Sequence, residues 1–193
     1  MKAIVQKKFK IIIVIFICLI ITLGSIIGIF YMYKYHKNIS EQQLIGSIYD
    51  IYSDKNREEI ITNIPISNGI PAIGILEINS IGYKGIVVEG TSQENLSKGI
   101  GLFEHSNILG GNVCMAGHNY KNFLENLKDV QLGDTIKYYT YLGNKQYAIS
   151  DIKQIEETDW SMLENTEDNR LTIITCVKGQ SNLRLCVQAL EIK

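Results

Sequence analysis

Near its start the chain carries one long apolar run, and the rest alternates between short apolar segments and polar turns. Residues 11–33 read IIIVIFICLIITLGSIIGIFYMY and contain no charged residue. At about 1.5 Å of rise per residue this run forms a helix of roughly 34 Å, enough to cross about 30 Å of bilayer hydrocarbon. The run ends at Tyr31, Met32 and Tyr33, an aromatic edge typical of the lipid–water interface. The pattern predicts a transmembrane helix over residues 11–33.

The alternative for this run is a cleaved signal peptide, which has a shorter apolar core of about 7–15 residues and a small-residue cleavage site. The length of the run and the residues that follow it favour a retained anchor. Its orientation follows from the flanking lysines, which are Lys2, Lys7, Lys8 and Lys10 before it and Lys34 and Lys37 after it. The positive-inside rule then places residues 1–10 in the cytoplasm and the chain beyond Lys34 outside the cell.

A second helix is predicted beyond the anchor, over Ser40–Asn63. Ser40 and Gln43 fit a capping box, and apolar residues recur behind them at helical spacing. This helix is either a stalk or an element packed on the folded domain. The segment Asn63–Pro71 contains both prolines of the chain and indicates the start of that domain. We therefore assign residues 34–71 to a juxtamembrane helical stalk or linker, and residues 72–193 to the folded domain.

Short strands dominate the pattern from residue 72 onward. The β-branched or aromatic-rich runs that predict strands are Ile73–Ile78, Ile86–Glu89, Val113–Ala116, Thr135–Thr140, Gln146–Ile152, Leu171–Cys176 and Leu183–Ile192. A hairpin turn is predicted at Leu142–Lys145. Short helices are predicted at Lys121–Val130 and at Trp160–Asn165, the latter capped by Thr158 or Asp159. Seven or eight short strands within about 120 residues indicate a closed or nearly closed β-barrel, because closure removes exposed strand edges.

Charge narrows the range of partners. The 193 residues carry a net charge of −1, and this length allows one domain plus an accessory segment. Residues 35–193 contain all 20 acidic residues but only 14 of the 19 basic ones, which leaves them at −6. A mildly acidic domain without a basic run argues against nucleic-acid binding.

Four cysteines are present, of which Cys18 falls in the predicted membrane helix and three fall beyond it. Three are too few for a disulfide scaffold and leave at least one thiol unpaired. Cys114 and Cys186 lie mid-strand among apolar neighbours, as buried inert thiols do. A disulfide between them is an alternative that depends on the distance between the two strands. Cys176 instead ends a strand.

Three stretches combine residues that support acyl transfer: AGHN at 116–119, LTIITC at 171–176 and RLCVQA at 184–189. One strand ends at Cys176, another ends at His118, and Arg184 begins a third. Because only seven residues separate Cys176 from Arg184, we expect these two side chains to lie close together. A nearby cation favours the reactive thiolate, an imidazole can move the proton, and a guanidinium can donate to an oxyanion. Taken singly, each of the three residues is more often structural than catalytic.

The same three stretches, in this order and spacing, resemble the sortases, which are cysteine transpeptidases of Gram-positive cell surfaces. The resemblance extends over about residues 73–192 and includes GILEINSIGYKGIVVEG, LSKGIG and FLENLKDVQLGDTI. It implies a mainly β fold, an eight-stranded sortase-type barrel with short helices. It also implies that Cys176 is the nucleophile, His118 the general acid/base and Arg184 the oxyanion or substrate-positioning group, with Ala116 and Thr175 lining the substrate groove.

The reaction implied by the resemblance is cleavage of an LPXTG-like sorting signal between Thr and Gly through a thioacyl intermediate. The partners implied are exported proteins that carry this signal and an amine acceptor, either a peptidoglycan precursor or a pilin lysine. Val177 stands where many class A members have Asp, and the short loop before the cysteine strand differs from class B, so we expect a class A or class D-like enzyme. No cofactor and no metal are expected, since the acidic cluster that binds calcium in some class A members has no match.

Two other functions compete with transpeptidation. One is a surface cysteine peptidase that only hydrolyses its substrate, because the acylation half of the reaction is the same. The papain-like order is disfavoured, since His118 precedes Cys176. The other is a non-catalytic, membrane-anchored β-barrel that acts in assembly or adhesion.

Overall fold

The computed structural model describes residues 2–53, 66–67 and 69–192. Contacts within the chain divide it into two compact units, Met1–Gln43 and Leu44–Lys193. The described residues of the first unit are helical, and those of the second contain the last turns of that helix and the strands. The predicted functional segments 1–10, 11–33, 34–71 and 72–193 stay a prediction.

Helix α1 extends from Lys2 to Ser53. It passes through Ser40, so the prediction that a helix begins there was wrong; the predicted helical residues 54–63 lie outside the described residues. Among the described residues, α1 alone is long enough and apolar enough to cross a membrane, and the candidate span is Ile15–Tyr52. Its large apolar side chains between Ile15 and Tyr35 are exposed, which suits lipid better than water.

Within the described residues, the second unit contains nine strands. They are β1 (Ile66–Ser67), β2 (Ile70–Ile78), β3 (Tyr83–Glu89), β4 (Ile100–Leu102), β5 (Asn112–Gly117), β6 (Thr135–Thr140), β7 (Gly143–Glu156), β8 (Arg170–Val177) and β9 (Gln180–Glu191). Strands β2 to β9 follow the order β2-β3-β4-β5-β8-β9-β7-β6, and β6 pairs back onto β2. Eight strands thus close a barrel, as predicted, while β1 pairs only with β2. The pairs β3–β4 and β5–β8 are parallel.

The barrel interior is filled by alternate residues of these strands. Fully buried examples are Leu76, Val87, Met115, Ile173 and Val187, whose neighbours in sequence point to the outer face because strand side chains alternate. Such interiors are close-packed, so the strand ends are held in fixed positions.

The last turns of α1 cover part of the outer face. Ile48 and Tyr52 are buried there against Ile75 and Ile86 of β2 and β3, and the Tyr52 hydroxyl donates a hydrogen bond to the Ala72 carbonyl. Burying two such side chains is favourable by roughly 1.5–3 kcal/mol each. Of the two alternatives for the predicted second helix, its described part from Leu44 packs on the barrel.

The shorter elements differ from the predictions in detail. The β6–β7 hairpin turns at Tyr141 and Leu142, because Thr140 pairs with Gly143; this is two residues before the predicted turn. The two predicted short helices are reduced to 3-10 helices, Glu125–Asp129 and Ser161–Leu163.

The prediction that Thr158 or Asp159 caps the second short helix was wrong, because its N-cap residue is Trp160, which makes no side-chain capping hydrogen bond. The Asp159 carboxylate accepts hydrogen bonds from the Ser161 backbone N–H at 3.0 Å and from its hydroxyl at 2.6 Å. Two strands were not predicted, β1 and the three-residue β4, whose sequence Ile-Gly-Leu is too short to show alternation.

Candidate active site

The topology brings the three predicted residues to one edge of the barrel. Strands β5 and β8 run parallel and pair up to Gly117 and Thr175, so His118 and Cys176 follow at neighbouring carboxyl ends. Strand β9 runs antiparallel to β8, with Arg184 directly opposite Cys176. Residues opposite each other in an antiparallel pair lie about 4.5–5.5 Å apart at Cα. The expectation that Cys176 and Arg184 are neighbours is therefore confirmed.

The Cys176 thiol is on the outer face and exposed, whereas the other two barrel thiols are buried. Burial raises the pKa of Cys114 to about 12 and the pKa of Cys186 to about 11, because a thiolate is poorly solvated there. Among the described residues all four cysteines, Cys18 included, are free, so Cys114 and Cys186 form no disulfide. Exposure thus singles out Cys176 as the barrel thiol that a substrate can reach.

The His118 imidazole is held by two aromatic rings. It stacks on Tyr120 with ring centroids 4.9 Å apart and planes at 21°, and it meets the edge of Phe123 at 6.0 Å. Asn122 adopts a left-handed conformation, with φ of 72°, in the turn between these two aromatics; Asn tolerates this better than most residues. The Leu124 N–H also donates to the His118 carbonyl at 2.9 Å. Ring and backbone are therefore both positioned before any substrate binds.

Arg184 is anchored at the edge without using its whole guanidinium. Nη1 donates to the Ser181 carbonyl at 2.7 Å and to the Leu183 carbonyl at 2.9 Å. Nη2 donates to the Glu157 carboxylate at 2.9 Å. A guanidinium has five N–H donors, so two remain without an acceptor in the part of the chain that the structure describes. Arg184 can thus be fixed and still donate to a bound group.

Two side-chain hydrogen bonds connect the ends of β5 and β8. The Thr175 hydroxyl donates to the Gly117 carbonyl at 2.7 Å, and the Asn119 side-chain amide donates to the Cys176 carbonyl at 2.6 Å. Thr175 is buried, with 3% of its surface exposed, and Ala116 is half-buried. The binding roles assigned to Ala116 and Thr175 stay a prediction.

The loop from 157 to 169, which joins β7 to β8, packs on the outer face of the barrel. Met162 and Leu163 pack on a small outer-face cluster of Ile155, Ile174 and Cys186. Asn112, on β5, donates from its side-chain amide to two carbonyls of this loop. The loop is therefore fastened to the sheet.

One residue of this loop contacts the predicted trio, and an aromatic residue nearby in the loop is exposed. The loop presents Glu157 to Arg184 and leaves Trp160 60% exposed, with its ring edge-on to Phe103 at 6.3 Å.

Sequence reasoning did not find Glu157, Tyr120 or the Asn119 contact. Glu157 reaches Arg184 because Ile155 pairs with Arg184 across β7 and β9, a register that the sequence does not display. Asn119 and Tyr120 directly follow His118, and this adjacency is the signal that could have pointed to them. Among the described residues, no group of three His, Cys, Asp or Glu side chains is arranged to hold a metal ion.

The chain was compared with known families and proteins. Residues 76–192 match the model of the Sortase family, described as a sortase domain. Sortase A of Listeria monocytogenes serovar 1/2a is 31% identical over 126 residues, which cover 63% of this chain and 56% of that protein. Sortase D of Bacillus subtilis is 30% identical over 108 residues, which cover 54% of each chain. The chain thus spans little more than half the length of these curated relatives.

Solved structures show the same similarity. The Clostridium perfringens Sortase D5 transpeptidase superposes with a TM-score of 0.67 at 28% identity, covering 79% of this chain and 98% of that one. Listeria monocytogenes sortase A superposes with a TM-score of 0.59 at 29% identity, covering 63% of this chain and 88% of the other. Residues 76–192, which the family model matches, include His118, Cys176 and Arg184.

Proposed function

The chain belongs to the sortase family, and on this premise we propose that it is a membrane-anchored cysteine transpeptidase with Cys176 as nucleophile. The observation that carries the proposal is the shared edge: an exposed thiol stands opposite Arg184 on β9 and beside the end of the strand that leads to His118. Cys176 lies at the end of a strand in a closed barrel, and a rigid element of this kind is what a nucleophile requires.

The first half of the reaction is acylation of Cys176. Its thiolate attacks the scissile carbonyl, the C–S bond forms, and the carbonyl electrons move onto oxygen. The two remaining N–H donors of Arg184 can stabilise this oxyanion, and such a donor is typically worth roughly a hundred- to a thousandfold in rate. The C–N bond then breaks, and the His118 imidazolium gives its proton to the departing amine.

The second half transfers the acyl group. The imidazole of His118, now neutral, takes a proton from an incoming amine as that amine attacks the thioester. A new C–N bond forms, the C–S bond breaks, and the thiolate of Cys176 is restored. Atoms and charges balance over the cycle without a further reactant.

Family membership supports a proposal for the substrate. We propose an LPXTG-like sorting signal on exported proteins, cleaved between Thr and Gly, and an acceptor amine on a cell-wall precursor or a pilin. The apolar part of α1 would anchor the enzyme as a single-pass membrane protein. The lysine asymmetry around residues 11–33 supports a cytoplasmic N-terminus and an extracellular barrel. This location brings the enzyme to its clients as they leave the membrane.

Peptide ligation by the full chain in detergent micelles tests the proposal. The chain is incubated with a panel of sorting-signal peptides, with and without a glycine-based amine, and the products are identified by mass spectrometry. We expect amine-dependent ligation that Cys176→Ala abolishes and that the matched thiol variant Cys18→Ala retains. Cleavage that gives the same product with and without the amine would instead indicate a hydrolase. The absence of any product would indicate a non-catalytic barrel.

A further inference from the structure

The backbone of Cys176 is less constrained by strand pairing than that of its predecessors. The β5–β8 pairing ends at Gly117 and Thr175, one residue before Cys176. On the other side, the β8–β9 register shifts between Cys176 and Val177. Cys176 is therefore the first residue of β8 beyond its pairing with β5, and the last before the register with β9 changes.

Asn119 supplies a side-chain hydrogen bond on the β5 side, where the pairing has ended. Its side-chain amide donates to the Cys176 carbonyl at 2.6 Å. This hydrogen bond joins β5 and β8 beyond Gly117 and Thr175, their last paired residues. Holding this carbonyl fixes ψ of Cys176. Since the rotamers open to a side chain depend on φ and ψ, the direction of the thiol is restricted as well.

The same hydrogen bond also links the backbone of Cys176 to the segment that carries the imidazole. Asn119 directly follows His118, whose own carbonyl accepts from the Leu124 N–H at 2.9 Å. Through one side chain, the backbone beside the general acid/base is joined to the backbone of the nucleophile. The Thr175 hydroxyl donates a second hydrogen bond, to the Gly117 carbonyl at 2.7 Å, and this bond joins the same two strands one residue earlier.

From this geometry we propose that Asn119 is a positioning residue, which sets the separation between the Cys176 thiol and the His118 imidazole during acyl transfer. The inference rests on the proposed function and adds a residue to it. Displacing a reacting group by about 1 Å can cost up to roughly a hundredfold in rate. Removing the amide donor therefore slows acylation without removing any group that binds the peptide.

The test compares Asn119→Ala, Asn119→Asp and Asn119→Gln with Asn144→Asp as the control. Asn119→Asp keeps the shape but points a carboxylate at a carbonyl, whereas Asn119→Gln keeps the donor. Asn144 is exposed and lies next to Gly143, at the opposite end of β7 from Glu157. The measurements on the full chain are the single-turnover rate of acyl-enzyme formation, the peptide KM and the thermal unfolding midpoint.

The acylation rate is expected to fall by about 10- to 100-fold in Asn119→Ala and Asn119→Asp, with KM within about twofold and unfolding midpoints as in wild type. Asn119→Gln recovers part of the rate, and Asn144→Asp behaves as wild type. Wild-type acylation rates in both Asn119→Ala and Asn119→Asp would overturn the inference alone. So would a loss of rate fully accounted for by loss of folded protein in both variants. If the wild-type chain forms no acyl-enzyme with any peptide, the proposed function itself fails, and the inference with it.

Discussion

Replacing Asn112 by Ala releases the loop from 157 to 169 from the barrel. Asn112 is only 4% exposed. Its amide donates to the Met162 carbonyl at 2.9 Å and to the Glu164 carbonyl at 2.8 Å, and its oxygen accepts from the Thr172 hydroxyl at 2.7 Å. Asn112→Ala removes all three hydrogen bonds and supplies nothing in their place.

The size of the effect follows from these contacts. A hydrogen bond of this kind contributes about 1 kcal/mol net, and a buried partner left unpaired costs about 1–3 kcal/mol. The Thr172 hydroxyl still accepts from the Gln188 amide at 3.1 Å, and water can reach the two loop carbonyls once the loop lifts. We therefore expect the free energy of unfolding to fall by about 2–4 kcal/mol, with the loop opening locally at lower cost than the barrel.

Two assays check this prediction, urea unfolding of the full chain and limited proteolysis with a glutamate-specific protease. Asn112→Ala should unfold at lower urea and be cut faster at Glu164 under native conditions. Its peptide KM should rise, because the loop presents Glu157 to Arg184. The control is Asn144→Ala, at an exposed asparagine. A change below about 0.5 kcal/mol, the range of ordinary surface substitutions, with unchanged cleavage would refute the reasoning.

Two further predictions concern the reactive groups. Because burial raises the pKa of Cys114 to about 12 and of Cys186 to about 11, both stay protonated at pH 8. Iodoacetamide attacks only thiolates, so it should label Cys176 and spare these two until the protein is unfolded; peptide mapping that finds all three labelled equally would contradict this. Tyr120→Leu removes the ring stacked on His118 and should lower kcat about 2- to 10-fold, as expected for an aromatic pair worth about 0.5–1.5 kcal/mol. Tyr120→Phe keeps the ring and should retain the rate, and equal kcat in all three proteins would argue against a role for the stack.

The barrel was predictable where strand patterns are long and connections short. The seven-residue connection predicted that Cys176 and Arg184 are neighbours on antiparallel strands, and the pairing of β8 with β9 confirms this prediction. Strand β4 was missed because Ile100–Leu102 has three residues with a glycine at its centre. Its pairing is imposed by its neighbours β3 and β5 and not by its own sequence, since short strands are decided by tertiary context.

The error at Ser40 has a similar cause. A capping box is a local pattern, and it begins a helix only where the preceding residues leave helical geometry. Residues 34–43 contain neither glycine nor proline, so nothing there interrupts the helix, and α1 continues to Ser53.

The trio was predicted from residue types, spacing and the resemblance to sortases, whereas the residues that contact it depend on strand register and on the path of the loops. Glu157 meets Arg184 only because β7 and β9 pair Ile155 with Arg184. Asn119 meets Cys176 only because β5 and β8 are adjacent and parallel, although their segments are more than fifty residues apart in sequence. Contacts of this kind between distant segments depend on how the strands of the closed sheet pair, and the local sequence pattern does not show that pairing.

The claim that Cys176 is the acyl-transfer nucleophile is tested most directly by trapping the intermediate. The full chain is mixed with a cleavable sorting-signal peptide without amine, quenched in acid and measured by intact mass spectrometry, then treated with hydroxylamine. The account predicts an adduct of the amino-terminal peptide fragment that maps to Cys176, is absent from Cys176→Ala, and is released by hydroxylamine as a hydroxamate. An adduct on another residue, or peptide cleavage that persists in Cys176→Ala, would contradict it.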